Sequence, residues 1–138
     1  MFTSETKLRV RYAETDQMGV VYYGNYATYF EVARVEALRE VGMSYRQMEE
    51  EGAMLPVLEQ YMKYIRPAKY DDLLTIKTYL KEMPGTRIRF EYEVYNEENT
   101  LLTIGNTVLV FVSPKTMKPI QIPANFKKLI EVYFQDGE

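Results

Sequence analysis

Along residues 87–94 the chain alternates without a break: Ile88, Phe90, Tyr92 and Val94 are apolar, and Arg87, Arg89, Glu91 and Glu93 are charged. A period of two puts the two sets on opposite faces, which predicts an antiparallel strand with one dry and one wet side. Weaker versions of the pattern flank it. Residues 7–12 predict a short strand with Leu8, Val10 and Tyr12 on one face. Residues 54–65 predict an irregular strand whose Pro56 suits a sheet edge or a bulge. Residues 72–83 and 101–112 predict two more, the second with Gly105 as a bulge or crowding point. Met83-Pro84-Gly85-Thr86 and Asn96-Glu97-Glu98-Asn99 have turn composition.

A different period takes over from Asn25. Tyr26, Phe30, Ala33, Ala37 and Val41 form one helical stripe, and the two alanines at its centre permit close approach to a sheet. Asn25 suits the N-cap and Gly42 the stop, so the pattern predicts a helix over 25–41. Val32, Val35 and Leu38 interrupt the opposite side, which predicts a helix enclosed on more than one face. Ser44-Tyr45-Arg46-Gln47 has the form of a capping box and opens a short helix ending before Gly52. Pro123 opens a final helix through about Tyr133. Helices that do not alternate with strands indicate an α+β fold in one domain spanning 1–138; an antiparallel sheet around one long helix satisfies every period, and other small α+β arrangements do so too.

Composition changes this picture mainly by exclusion. The chain has no Cys and no His, which removes thiol nucleophiles, Ser-His-Asp triads and imidazole or thiolate metal sites. No metal and no cofactor is therefore expected. Acid–base or nucleophilic work falls to carboxylates, Tyr or Lys, and Asp occurs only at Asp16, Asp71, Asp72 and Asp136. A net charge of −3 argues against a nucleic-acid partner. No apolar run reaches the length of a membrane span, and the opening Met-Phe-Thr-Ser-Glu-Thr lacks a secretory pattern, so a cytoplasmic address is expected. Thirteen Tyr against no Trp suits half-buried sheets, interfaces and ligand slots.

The chemistry concentrates in residues 12–26, between the first strand and the long helix. This segment brings a carboxylate, Asp16, towards a helix N-terminus whose free N–H groups can hold an oxyanion. A carboxylate facing such donors across a carbonyl is a minimal device for acyl transfer. Asp16-Gln17-Met18-Gly19 also fits a type I turn, with Asp first and Gly fourth, so a structural role stands beside the catalytic one.

The same segment resembles the active-site signature of the 4-hydroxybenzoyl-CoA thioesterase family, and most its branch of tol-pal-associated acyl-CoA thioesterases. The matching residues are Tyr12, Glu14, Thr15, Asp16, Gly19, Val20, Val21, Tyr22, Tyr23, Gly24, Asn25 and Tyr26. The likeness continues through Tyr29-Phe30-Glu31-Val32-Ala33-Arg34, through Tyr64-Ile65-Arg66-Pro67-Ala68 with Asp72-Leu73, and into Lys118-Pro119 with Ile122-Pro123. The resemblance implies the hotdog fold, in which the sheet wraps the long helix and two protomers join their sheets. It implies hydrolysis of acyl-CoA, with a carrier-protein thioester as the other candidate substrate, in a homodimer or homotetramer. It also implies that Asp16 attacks the thioester or activates water, and that the Tyr23 backbone N–H polarises the carbonyl. Tyr22, Gly24, Asn25 and Tyr26 are the accompanying substrate-binding candidates. The tol-pal branch commonly has His where this chain has Tyr23, which bears on substrate choice and pH response but leaves the backbone donor in place.

Outside this segment, Glu14 is either a buttress of the loop or a surface acid. Glu31 and Arg34 read as a surface pair at i, i+3, and Asp71 and Asp72 as a strand entrance. The competing functions are a hydratase, which in such folds uses a His, an acyl-CoA sensor fused to a DNA-binding domain, and a non-catalytic acyl-CoA binder.

Overall fold

The computed structural model describes residues 1–135, so Asp136 lies outside the described residues. Five strands form one antiparallel sheet: β1 (Phe2–Arg9), β2 (Val57–Tyr64), β3 (Leu73–Leu80), β4 (Arg87–Tyr95) and β5 (Leu101–Val110). Their order across the sheet is β1-β3-β4-β5-β2. The helices are α1 (Asn25–Val41), α2 (Tyr45–Glu50) and α3 (Ala124–Glu131). This is the α+β arrangement that the two periods predict.

The inner face of the sheet and α1 make the core. Ile88, Phe90, Tyr92 and Val94 are buried, as the alternation requires, and so are Tyr26, Tyr29, Phe30, Ala33 and Ala37 of α1. Phe30 stacks on Tyr92 with ring centroids 4.2 Å apart. Full burial of a side chain of this size contributes about 1.5–3 kcal/mol. Gly105 makes the approach possible, since a Cβ there would stand 2.7 Å from the Phe30 ring and 2.6 Å from the Tyr61 carbonyl oxygen. Gly42 ends α1 in the left-handed region at φ 116°, and its N–H bonds to the Leu38 and Arg39 carbonyls. Both bonds of the Ser44–Gln47 capping box are formed.

Several expectations need correction. The first strand covers Phe2–Arg9 and not 7–12, because Phe2 and Ser4 already face inward and the strand pairs with β3 from Phe2↔Leu80 to Arg9↔Leu73. Beyond Val10 the chain turns into a short 3₁₀ segment, and Tyr12 is 77% exposed. The N-cap of α1 is Gly24, and Asn25 is the first helical residue. The helix is not enclosed all round: Thr28, Glu31, Val32 and Arg39 lie on a solvent-facing side. Arg34 is only 9% exposed and forms no ion pair with Glu31 among the described residues, because it lies on the helix flank that faces the core.

Strand β2 lies at the edge of the sheet with one side unpaired. Val57, Leu58, Tyr61 and Tyr64 along it are exposed, and its register shifts between Val57 and Glu59, close after Pro56. Among the described residues no helix is long and apolar enough to cross a membrane.

Candidate active site

The loop after β1 folds back as a small hairpin. Thr15 bridges Val21, the Asp16 N–H donates to the Val20 carbonyl at 2.9 Å, and the Gly19 N–H donates to the Asp16 carbonyl at 2.9 Å. This is the turn that the Asp-x-x-Gly spacing predicts, closed by Gly19 at φ 80°, where a side chain would be strained. The Met18 N–H donates to Asp16 Oδ1 at 2.9 Å, and among the described residues Oδ2 accepts no hydrogen bond. The turn therefore leaves half of the carboxylate unengaged.

The hairpin is tied to its surroundings on both arms. On the exit arm, the Val21 N–H donates to the Ala68 carbonyl at 2.8 Å, while the Tyr22 N–H joins the two arms by donating to the Glu14 carbonyl at 2.9 Å. On the entry arm Glu14 is the buttress: its carboxylate accepts from the Arg11 N–H at 2.9 Å, the Arg11 guanidinium at 2.9 Å and the Tyr29 hydroxyl at 2.9 Å. Burial works to raise the Glu14 pKa, but the bonds from Arg11 and Tyr29 outweigh it and hold the carboxyl below its ordinary value. The same contact, after burial, pushes the Tyr29 phenol up, so it remains a neutral donor. The Asn25 amide donates to the Glu14 carbonyl at 2.8 Å, so its side chain organises the loop and caps nothing.

Asp16 lines a cavity of about 280 Å³ between this hairpin, the start of α1 and the chain leaving β2. Tyr23 and Tyr26 line it from the helix side, and Tyr64, Ile65, Arg66 and Pro67 from the other. The wall is mostly apolar, with Tyr23, Tyr26 and Tyr64 as its aromatic members. The Tyr64 ring lies 5.4 Å from that of Tyr26 and 6.5 Å from that of Tyr23. Tyr26 is buried, which raises its phenol pKa. At the helix start, neither the Tyr23 nor the Gly24 N–H bonds to a backbone carbonyl among the described residues. Gly24, the N-cap, carries one of the orphan donors of the helix N-terminus, and Tyr23 stands one residue before it. A larger hollow of about 440 Å³ lies over the outer face of the sheet, but its polar groups satisfy one another: Tyr79 bonds to Glu93 at 2.6 Å and Lys81 pairs with Glu91 at 3.4 Å.

Of the residues singled out from the sequence, Asp16, Tyr23 and Tyr26 meet at the cavity. Tyr22 packs its ring on Tyr23 at 4.5 Å, and a Cβ on Gly24 would stand 2.7 Å from that ring. Asn25 acts from behind, through Glu14. The opposite wall, Tyr64 to Pro67, belongs to the family likeness in the sequence, but the sequence does not assign it to the site. Its signal was the placement of Pro67 and Asp72 just past an aromatic strand, where the chain must turn: the Asp72 carboxylate accepts from the Lys69 N–H at 2.8 Å, which bends this wall towards the hairpin.

Residues 10–130 match the family model described as the thioesterase-like superfamily. The chain belongs to that superfamily. Within it, the chain is 38% identical over 125 residues to the acyl-CoA thioester hydrolase YbgC of Escherichia coli, covering 88% of this chain and 93% of that one. It is 37% identical over 122 residues to the acyl-CoA thioesterase YbgC of Haemophilus influenzae, covering 87% and 88%. Among solved structures, the DHNA-CoA thioesterase of Staphylococcus aureus superposes with a TM-score of 0.90 at 38% identity, covering 98% of this chain and 91% of that one. The superfamily fold is the hotdog, so the wrapped-sheet expectation holds.

Proposed function

We propose that this protein hydrolyses acyl-CoA thioesters to the free acid and coenzyme A, with Asp16 as its catalytic carboxylate. The observation that carries this reading is that Asp16 and Tyr23, at the unbonded start of the helix, line one largely apolar cavity. A thioester carbonyl that accepts from the unbonded N–H groups of this helix start develops its negative charge beside fixed donors, which is usually the largest source of stabilisation in acyl transfer. Asp16 Oδ2, free of other bonds, attacks the carbonyl carbon; the thiolate leaves, and water opens the resulting mixed anhydride. Tyr23, Tyr26 and Tyr64 offer flat walls to the acyl group, while Tyr22, Gly24 and Asn25 hold the helix start in shape.

The exposed apolar edge of β2 supports a homodimer, because such an edge pairs readily with a second chain. Light scattering at micromolar concentration checks this, and an active monomer refutes it. We assign the protein to the cytoplasm. Incubation with a panel of aryl- and alkyl-CoAs tests the function directly. Stoichiometric release of free thiol and acid supports hydrolysis; saturable binding of acyl-CoA with no thiol released supports a non-catalytic binder instead.

A further inference from the structure

The hydrogen bonds around Asp16 divide into two kinds. Those made by Asp16 itself stay inside the hairpin, reaching only Met18, Gly19 and Val20. They fix the carboxylate relative to the hairpin but not relative to the helix start. That second relationship depends on where the hairpin is anchored. The exit arm is anchored through backbone groups, by the Val21 N–H on the Ala68 carbonyl and the Val20 bridge to Lys69, while the Tyr22 N–H ties it to the Glu14 carbonyl of the entry arm. The entry arm is anchored at Glu14, two residues before Asp16, through its carboxylate and through the Asn25 amide on its carbonyl.

Glu14 has an unusual set of partners for a residue at the protein surface. Its carboxylate takes Arg11 on the entry side and Tyr29 on α1, and its carbonyl takes Tyr22 and Asn25 at the helix start. None of these bonds reaches the sheet. The Glu14 side chain is 13% exposed and lies outside the cavity lining, so it does not meet substrate there. Tyr29 is 2% exposed, and its hydroxyl finds in Glu14 the partner that a buried phenol requires.

We propose that Glu14 is the positioning residue for Asp16: clamped between Arg11 and Tyr29, its side chain sets the hairpin at the distance from the Tyr23 and Gly24 N–H groups that thioester attack requires. This rests on the reading of Asp16 as the catalytic carboxylate. Glu14 contributes no proton and no charge to the reacting atoms. It contributes register, and a misplacement of about 1 Å is enough to cost on the order of 10²-fold in rate.

The test is steady-state kinetics on Glu14→Ala, Glu14→Gln and Tyr29→Phe, each made in the wild-type and in the Asp16→Asn background. Glu14→Ala is expected to lower kcat by ~10²-fold with KM nearly unchanged, because substrate still binds while the carboxylate is misplaced. Glu14→Gln keeps an acceptor for Tyr29 and recovers part of the rate. Tyr29→Phe lowers kcat in the same direction and serves as the deciding variant if Glu14→Ala proves unfolded by circular dichroism. In the Asp16→Asn background all three substitutions should have no further effect, since there is no carboxylate left to position. Folded variants with wild-type kcat overturn the proposal, as does an equal further loss in the Asp16→Asn background. Failure of the underlying reading is separately visible, as an Asp16→Asn protein that turns over at the wild-type rate.

Discussion

The Asn25 side-chain amide donates to the Glu14 carbonyl oxygen at 2.8 Å, and so joins the first residue of α1 to the entry of the hairpin that carries Asp16. The bond has a direction. An amide can donate to that carbonyl, whereas a carboxylate of the same shape faces it oxygen to oxygen. Asn25→Asp is therefore expected to destabilise the fold by roughly 1–3 kcal/mol, despite the benefit of an acid in a first helical turn. Urea denaturation of the variant measures this. A gain in stability would mean that the helix dipole dominates and that the bond to Glu14 contributes little.

Gly105 is expected to tolerate no side chain. A Cβ there meets the Tyr61 carbonyl oxygen at 2.6 Å and the Phe30 ring at 2.7 Å, and both neighbours are fixed, one by the β2–β5 ladder and the other by stacking on Tyr92. Gly105→Ala should cost about 1–3 kcal/mol through overpacking, read as a lower midpoint in thermal or urea unfolding. A midpoint equal to wild type would show that α1 can lift from the sheet at no cost.

How far the sequence discloses this molecule depends on whether a position is decided locally. The alternation of β4, the left-handed stop at Gly42 and the Ser44–Gln47 capping box are all local, and all three appear as read. The first half of β1 was missed because Ser4, a polar residue, faces inward and satisfies its hydroxyl on Glu40 of α1 at 2.6 Å, a partner far along the chain. The sequence pattern makes Arg34 a surface cation for the same reason: the flank on which it lies faces the sheet only once the fold is made. At the site, the motif disclosed the hairpin and the helix start. The segment from Tyr64 to Pro67 is legible as part of the family likeness, but its proximity to Asp16 is not, because that arises from sheet topology and not from sequence spacing.

Glu14 gives the fold a definite acid response. Its folded-state pKa lies below its unfolded value, because its bonds to Arg11 and Tyr29 outweigh the opposing effect of burial. A depressed carboxylate adds stability that is fully present above the ordinary glutamate range, near ~4.3, and is lost as pH falls through the folded value. The difference in Tm between wild type and Glu14→Gln should thus be largest near neutrality and shrink in acid. Solvent screening keeps the difference small. A gap that stays constant or widens below pH ~4 would contradict the assignment of these bonds to the ionised form.

If Asp16 attacks the thioester directly, one of its own oxygens passes into the product when water opens the anhydride at the Asp16 carbonyl. A single turnover with excess enzyme in ¹⁸O-water should then place the label in Asp16 and release an unlabelled acid, as mass spectrometry of the peptide containing Asp16 would detect. Label confined to the released acid would contradict attack followed by opening at that carbonyl, and would favour a carboxylate that activates water.

The central claim is that thioester cleavage depends on the Asp16 carboxylate, and Asp16→Asn tests it most directly. Asparagine preserves the shape of the side chain and can keep an oxygen for the Met18 N–H, so the hairpin should survive. An amide neither attacks a thioester nor accepts the proton of water under these conditions. The rate of thiol release from an acyl-CoA turned over by the wild type should therefore fall by ~10³-fold or more, with the circular dichroism spectrum and Tm close to wild type. A folded Asp16→Asn protein that keeps most of its rate would contradict the account, leaving Asp16 as the first residue of a turn and the chemistry elsewhere.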